Sequence, residues 1–463
     1  MHDTGAVLRG LRRIAEQTPP SRERFIDLLR GVSIVAVVLG HWLVTVVGYE
    51  HGELTGRSAL PDLPWAQPLT WVAQVMPVFF LVGGYVNAMS LAARRRRGGD
   101  AAEWLINRGG RLVPPTTTLV LAMTAGALAA HLFDADPVRV RTVVWLASIP
   151  LWFLVAYLIV VALTPPMYAL HRRYGLAVPL VLLGLVAIGD VARLLGEESW
   201  GYGNYLFGWL AIHQMGFLWR DGRLPARPAV ALPLLLGGFG VLALLTLVGP
   251  YPISLIDVPG ERPRNMSPPS LALLAVATAQ LGAALLLRDR AERWLRRPGP
   301  WLMVVAVNAV ILTILLWHIT AAILLAGGLN AVGALPTFEV GTAAWLAWRL
   351  PWLIMLSLVL TLLVSIFGPI ELRGTRGPDQ NSPRIPGGVI RMAVRPTARL
   401  PLVLAGFAGV AFGLLDNSRP PSAGSSVTGL PAAGLIAYLV GAALLRFLRS
   451  IPPGEEPSRD QRR

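Results

Sequence analysis

The chain of 463 residues contains no cysteine. That excludes disulfides, thiolate catalysis and cysteine-ligated metals, and it leaves the redox compartment open. Charge is sparse, at 14% of residues against 54% hydrophobic, and all 41 basic residues are arginine. Residues 1–27 lack the apolar stretch of a cleavable signal peptide and carry Asp3, Glu16 and Glu23. No sequence repeat of fixed period is visible. The net charge of +15 does not point to nucleic acid, because the arginines fall in short clusters between apolar segments.

What the chain has in abundance is long apolar runs, and its mean hydropathy is +0.56. A hydrocarbon core about 30 Å thick takes roughly 20 helical residues to cross. The pattern therefore predicts an all-α, polytopic membrane helical bundle of about twelve spans. They are expected near 28–48, 68–92, 112–132, 142–163, 176–194, 203–219, 229–249, 269–287, 301–326, 342–368, 400–416 and 428–448.

Arginine gathers in alternate connections, at Arg94–Arg97 with Arg108 and Arg111, at Arg172 and Arg173, at Arg220–Arg227, at Arg288–Arg297 and along Arg373–Arg399. The positive-inside tendency then puts both termini in the cytoplasm and loops 49–67, 133–141, 195–202, 250–268 and 327–341 outside. Arg139, Arg141, Arg262 and Arg264 break that alternation. Val7, Leu8, Leu11, Ile14 and Ala15 recur at helical spacing among arginines, as in a short amphipathic helix on the membrane surface. The expected organisation is an N-terminal segment at 1–27, a ten-helix core at 28–368, and a linker rich in Arg, Pro and Gly at 369–399. A membrane hairpin at 400–448 and a tail at 449–463 complete it.

Arg30 and His41 are eleven residues apart, about three helical turns, so they share a face and lie about 16 Å apart along the axis. Asp27, three residues before Arg30, borders that face and can pair with its guanidinium. His41, His213 and His318 fall inside spans, whereas His51 and His171 are expected in loops and His131 at a helix end. An ionisable group within a span is expensive, which favours a function; a neutral imidazole satisfying a neighbouring helix is the alternative. Asn308 and His318 lie ten residues apart in the ninth span, which carries His318 as deep as His41. Arg108 and Arg111, spaced three apart on a helix, suit a phosphate, and Gly109 and Gly110 would let a ligand approach the backbone; on spacing alone, anchoring to anionic lipid is the favoured reading. Trp152, with Phe153, reads as packing or interfacial anchoring. Asp190 is expected to pair with Arg193, and Pro77 to kink the second span beside Gly83-Gly84.

These residues resemble the integral-membrane acyltransferase 3 family, the bacterial O-acyltransferases. Asp27-Leu28-Leu29-Arg30-Gly31 leading to His41 is similar to the family's arginine, ten residues, histidine signature. Phe79-Phe80 with Gly83-Gly84-Tyr85 resembles its second-helix pattern, with Gly83 in place of the usual serine. Arg108 and Arg111 match the paired-arginine motif, Trp152-Phe153-Leu154 the Trp-Phe-Leu element, and Leu316-Trp317-His318 a late helix that ends in an aromatic residue and a histidine.

The resemblance implies a ten-helix core and a cytoplasmic acyl-CoA donor, acetyl-CoA foremost, with no bound cofactor and no metal. It implies a sugar, glycan, lipid-linked or natural-product hydroxyl as acceptor. His41 and His318 become the catalytic candidates, Arg30, Arg108 and Arg111 the donor-binding ones, and Asp27, Asn308 and Trp152 supporting residues. His41 can act as base or as nucleophile. The donor's pantetheine arm would have to run from the arginine pair to His41, of the order of the same 16 Å. If the core suffices, deleting residues after 399 spares activity. A secondary transporter with about twelve spans is the competing expectation from span count alone.

Overall fold

The computed structural model describes residues 9, 10, 12, 13, 15–19, 22–50, 53–375, 396–418 and 428–451, with the side chains of 48–50, 53–55, 374, 375, 396 and 397 excepted. The chain is overwhelmingly helical. In order come α1 (Arg24–Val44), β1 (Thr45–Glu50), β2 (Glu53–Ser58), α2 (Met76–Arg96), α3 (Ala101–Leu132), α4 (Pro137–Ser148), α5 (Leu151–Tyr174), α6 (Ala177–Leu194) and α7 (Asn204–Arg220). Then follow α8 (Pro228–Ala243), α9 (Leu271–Leu295), α10 (Pro298–Ala309), α11 (Ile311–Ala331), α12 (Ala343–Thr375), α13 (Pro396–Asn417) and α14 (Ala432–Ser450). Among the described residues, 11 helices are long and apolar enough to cross a membrane. At 17 residues, α7 is shorter than these.

Several expected boundaries move. The ninth span is two helices, broken at Val310 between α10 and α11. The fourth begins later, at Leu151, after the separate α4. The first ends at Val44, and Thr45–Glu50 pairs antiparallel with Glu53–Ser58 in a hairpin. The β-branched run Thr45-Val46-Val47 suits a strand, which an apolar window cannot distinguish from the end of a span. Pro77 starts α2 instead of kinking it, since a first-turn proline loses no helical hydrogen bond. His171, expected in a loop, lies in the last turn of α5, buried and bonded to Asp221 at 3.2 Å. Of the N-terminal amphipathic pattern, Val7, Leu8, Leu11 and Ile14 lie outside the described residues, as do His51 and 376–395 of the linker. Ala15 packs against the buried cluster of Leu295, Trp301 and Val304.

The chain divides into two compact units, Met1–Met89 with Pro166–Val364, and Ser90–Pro165 with Ser365–Arg463. In the first, α2 and α7 cross so closely that a Cβ on Gly84 would stand 2.0 Å from the His213 carbonyl oxygen, and one on Gly216 2.1 Å from that of Leu81. Only glycine permits such an approach. Phe80 stacks on Trp209 in the same interface, with ring centroids 4.3 Å apart. His213 is fully buried and meets Asn87 at 3.1 Å, which is the neighbour-satisfying role left open for it. Asp190 pairs with Arg193 at 3.2 Å as its spacing predicts, and also receives hydrogen bonds from Asn204 and Tyr251.

In the second unit the hairpin of α13 and α14 packs on α3. Pro114 lacks the N–H that would bond the Gly110 carbonyl four residues back, and Arg449 of α14 donates to that oxygen at 3.0 Å. Arg141, one of the arginines that break the charge alternation, is buried and donates to Asn417 and to the Gly429 carbonyl, both at 3.0 Å. Arg262 pairs with Glu198 in the first unit. These exceptions are committed to internal partners, and lipid anchoring does not account for them.

This packing revises the expected outcome of truncation. Deleting residues after 399 removes Arg449 and uncovers the glycine face of α3, leaving a carbonyl without its donor at a cost of about 1–3 kcal/mol. A clear drop in melting temperature is expected in the truncated protein, and Arg449→Leu should reproduce part of it.

Candidate active site

Helix α1 buries Asp27, Gly31, Ile34, Val38 and Trp42. It exposes Val32, Val35, Leu39 and Leu43. The spacing of three and four residues between the buried positions is that of one helical face, and the exposed apolar residues are the lipid-compatible side. The buried face packs on α10 and α11. Two polar contacts fix its register: Asn308 near Asp27 and Arg30, and His318 at His41. The spacing from Arg30 to His41 nearly equals that from Asn308 to His318, so α1 and the α10–α11 pair run in the same direction.

At the first contact Arg30 Nε donates to Asn308 Oδ1 at 2.7 Å. The Asn308 amide donates in turn to the Asp27 and Val304 carbonyls, both at 2.9 Å. The expected pairing of Asp27 with Arg30 is long, 3.7 Å; Arg22 is the closer partner, with Nε 2.7 Å from Asp27 Oδ2. A Cβ on Gly31 would stand 3.4 Å from the Asn308 amide nitrogen, an ordinary van der Waals contact, so the two helices meet closely at this point.

At the second contact His41 Nδ1 lies 2.8 Å from His318 Nε2, with the rings within 5° of parallel. His318 Nδ1 lies 2.6 Å from the Leu315 carbonyl oxygen. A carbonyl only accepts, so His318 Nδ1 carries the proton and donates it. For two neutral rings the remaining protons then follow: His318 Nε2 is the acceptor, His41 Nδ1–H donates to it, and His41 Nε2 keeps its lone pair. His318 is fully buried, whereas His41 is only half-buried. Trp42 Nε1 donates to the His318 carbonyl at 3.0 Å, and Thr45 Oγ1 donates to the His41 carbonyl at 2.6 Å. The arrangement holds one imidazole in a single tautomer, with its basic nitrogen turned away from the partner that orients it.

Arg108, Arg111 and Trp152 belong to the other unit. Arg108 and Arg111 lie on α3 at the expected spacing, inside the helix, which begins at Ala101 with Asp100 as its cap. Arg108 donates to Ser90 at 3.2 Å, and its guanidinium lies 5.5 Å from the Trp104 ring centroid. Arg111 is exposed. The intervening glycines do not serve ligand approach as expected. A Cβ on Gly109 would stand 3.3 Å from Phe407 of α13, and one on Gly110 2.6 Å from the Arg449 guanidinium of α14, so they admit helices. Trp152 meets Phe153 edge-on at 6.4 Å, a packing role. Arg94 pairs with Glu103. Among the described residues no group of three or more His, Asp or Glu is placed to hold a metal ion.

The sequence did not point to Arg22, Trp42 or the Leu315 carbonyl. A backbone oxygen carries no sequence signal, although Trp42 beside His41 was open to inspection.

A family model described as an acyltransferase domain, Acyl_transf_3, matches residues 23–368. Its span includes both histidines, Asn308 and the arginine pair, and stops before α13. No curated protein matches the chain, and no solved structure does. The match makes the chain an enzyme and sets aside the transporter that its span number also allowed. The chain belongs to the acyltransferase 3 family and is a multi-pass membrane acyltransferase.

Proposed function

We propose that the enzyme moves an acyl group, acetyl foremost, from acyl-CoA to a hydroxyl of a sugar-type acceptor, with His41 as general base. The observation that carries this reading is the proton order from Leu315 through His318 to His41, which leaves His41 Nε2 free to take a proton. In the step, the acceptor oxygen attacks the thioester carbonyl carbon as Nε2 removes its proton. The C–S bond then breaks, an ester forms, and the CoA thiolate leaves with the proton that His41 returns. His318 is the positioning residue. It holds the ring in one tautomer and accepts from Nδ1–H while His41 is transiently charged.

Arg108 and Arg111 are the donor-binding groups in this reading, because two guanidiniums one helical turn apart suit CoA phosphates. Arg30, held by Asn308, is a further cation for the donor. The charge distribution supports a cell-membrane protein with both termini cytoplasmic, the donor entering from that side.

Purified full-length protein in nanodiscs, given acetyl-CoA and read for free thiol, tests the proposal. The protein itself contributes no thiol, so the signal is CoA alone. Arg108→Ala/Arg111→Ala is expected to raise the KM for acetyl-CoA by about a hundredfold or more, each of the two lost charge-assisted contacts being worth about 1.5–3 kcal/mol. An unchanged KM would remove the pair from donor binding. Acetyl-CoA binding without CoA release would show that release requires the acceptor. Neither binding nor release by folded protein would overturn the donor assignment.

A further inference from the structure

Beside the end of α1 that carries His41 lies a small cleft, bordered among others by Thr45, Phe338, Trp345, Trp348, Arg349 and Trp352. Of its ten lining residues four are aromatic, four are aliphatic and one is a cation. Arg349 Nη1 donates to the Thr45 carbonyl at 3.0 Å, and the guanidinium lies 4.2 Å from the Trp345 ring centroid. Among the described residues no carboxylate pairs with it. Three buried donors, Arg349 Nε, Trp345 Nε1 and Trp352 Nε1, have no hydrogen-bond partner. Trp345 and Trp352 are 4% and 3% exposed, so water does not meet that need at the protein surface. A buried donor left unmade costs about as much as a good hydrogen bond gains, and three on residues that border one cleft are an unmet demand for acceptor oxygens beside it.

The cleft is tied to the reacting histidine. Thr45 bonds the His41 carbonyl through its hydroxyl and receives Arg349 on its own carbonyl. One helical turn, about 6 Å of rise, separates Thr45 from His41.

We infer that this cleft is the acceptor subsite and that it takes a sugar bearing a negative charge, carboxylate or phosphate; this rests on the acyl-transfer reading above. Indole and phenyl faces pack on the C–H faces of a pyranose, while indole N–H groups donate to its hydroxyl oxygens. Arg349 meets the anion, and a guanidinium without a carboxylate partner selects charge strongly once water is excluded. A simple lipid-facing role does not require three orphaned donors. Phe338, which is exposed, and the half-buried Trp348 beside it stand at the rim of the cleft.

The test is binding of glucuronic acid, glucose 1-phosphate and glucose to the full chain in zwitterionic nanodiscs, by equilibrium dialysis. At least one anionic sugar should bind tenfold or more tighter than glucose, and which one identifies the anion as carboxylate or phosphate. Arg349→Gln should abolish that preference, and Arg349→Lys should retain part of it. If Arg349→Gln does not fold, Trp348→Ala at the rim serves, with an expected weakening of at least threefold. Equal binding of charged and neutral sugars overturns the inference. So does binding unchanged in either folded variant, or displacement of the sugar by phosphatidylglycerol in the nanodisc, which would make a lipid headgroup the occupant. The two readings fail separately. His41-dependent CoA release without Arg349-dependent sugar binding removes only the subsite, and sugar binding without CoA release removes only the acyl transfer.

Discussion

Replacing His41 with alanine is expected to lower acyl transfer by about a thousandfold or more, in protein that still folds although the buried His318 Nε2 loses its donor at a cost of about 1–3 kcal/mol. General-base catalysis is worth about 10²–10⁴ in rate, and no other imidazole among the described residues pairs with a second one to hold a free basic nitrogen. His41 is half-buried at the end of α1, so its removal leaves the packing of Ile34, Val38 and Trp42 in place. The more discriminating experiment is at His318. His318→Leu removes the acceptor for His41 Nδ1–H and releases the ring to rotate, and the loss in kcat should be about a hundredfold. His318→Gln keeps an oxygen that can accept from the same N–H, and about a tenfold loss is expected. Neither change should move the KM for acetyl-CoA, because His318 is fully buried and makes its contacts to His41 and to backbone. Equal losses from leucine and glutamine would remove the orienting role. A His41→Ala variant with normal turnover would remove the base assignment altogether.

Gly84→Val is expected to cost more than about 3 kcal/mol of stability, enough to deplete folded protein from the membrane. Overpacking of a core costs typically about 1–3 kcal/mol when side chains can rearrange. Here the obstacle 2.0 Å from the added Cβ is a backbone carbonyl, and the Cα of Gly216 on the partner helix would stand 3.2 Å from that Cβ. Neither can rotate away, so α2 and α7 must separate and the stack of Phe80 on Trp209 must loosen. Gly237→Ala, at a glycine with open space around its Cβ, is the control and should be close to neutral. Melting of the purified variants, followed by tryptophan fluorescence, reads the difference directly. A Gly84→Val protein as stable as the wild type would show that the crossing is looser than the close approach of its backbones implies.

What was legible in the sequence follows from how membranes constrain a chain. Unsatisfied backbone is intolerable in hydrocarbon, so each apolar run long enough to cross must be a helix, and the spans could be found one window at a time. The face shared by Arg30 and His41 was legible for the same reason, since three turns of one helix is a local relation. So was the pairing of Asp190 with Arg193. Motif order sufficed to suggest the family, and the match to residues 23–368 shows it.

What the sequence could not decide lies between helices. The break at Val310 interrupts an apolar run without proline or glycine, so no local signal marks it. Gly109 and Gly110 show the same limit. A glycine records only that something comes close, and tertiary structure made that something Phe407 and Arg449 in place of a ligand. The composition by itself determined a polytopic helical membrane protein, because burial of apolar length is a property of each segment alone. Only the tertiary structure decided that His318 orients His41, because the proton on His318 Nδ1 is fixed by a backbone carbonyl and passed to a helix 277 residues away.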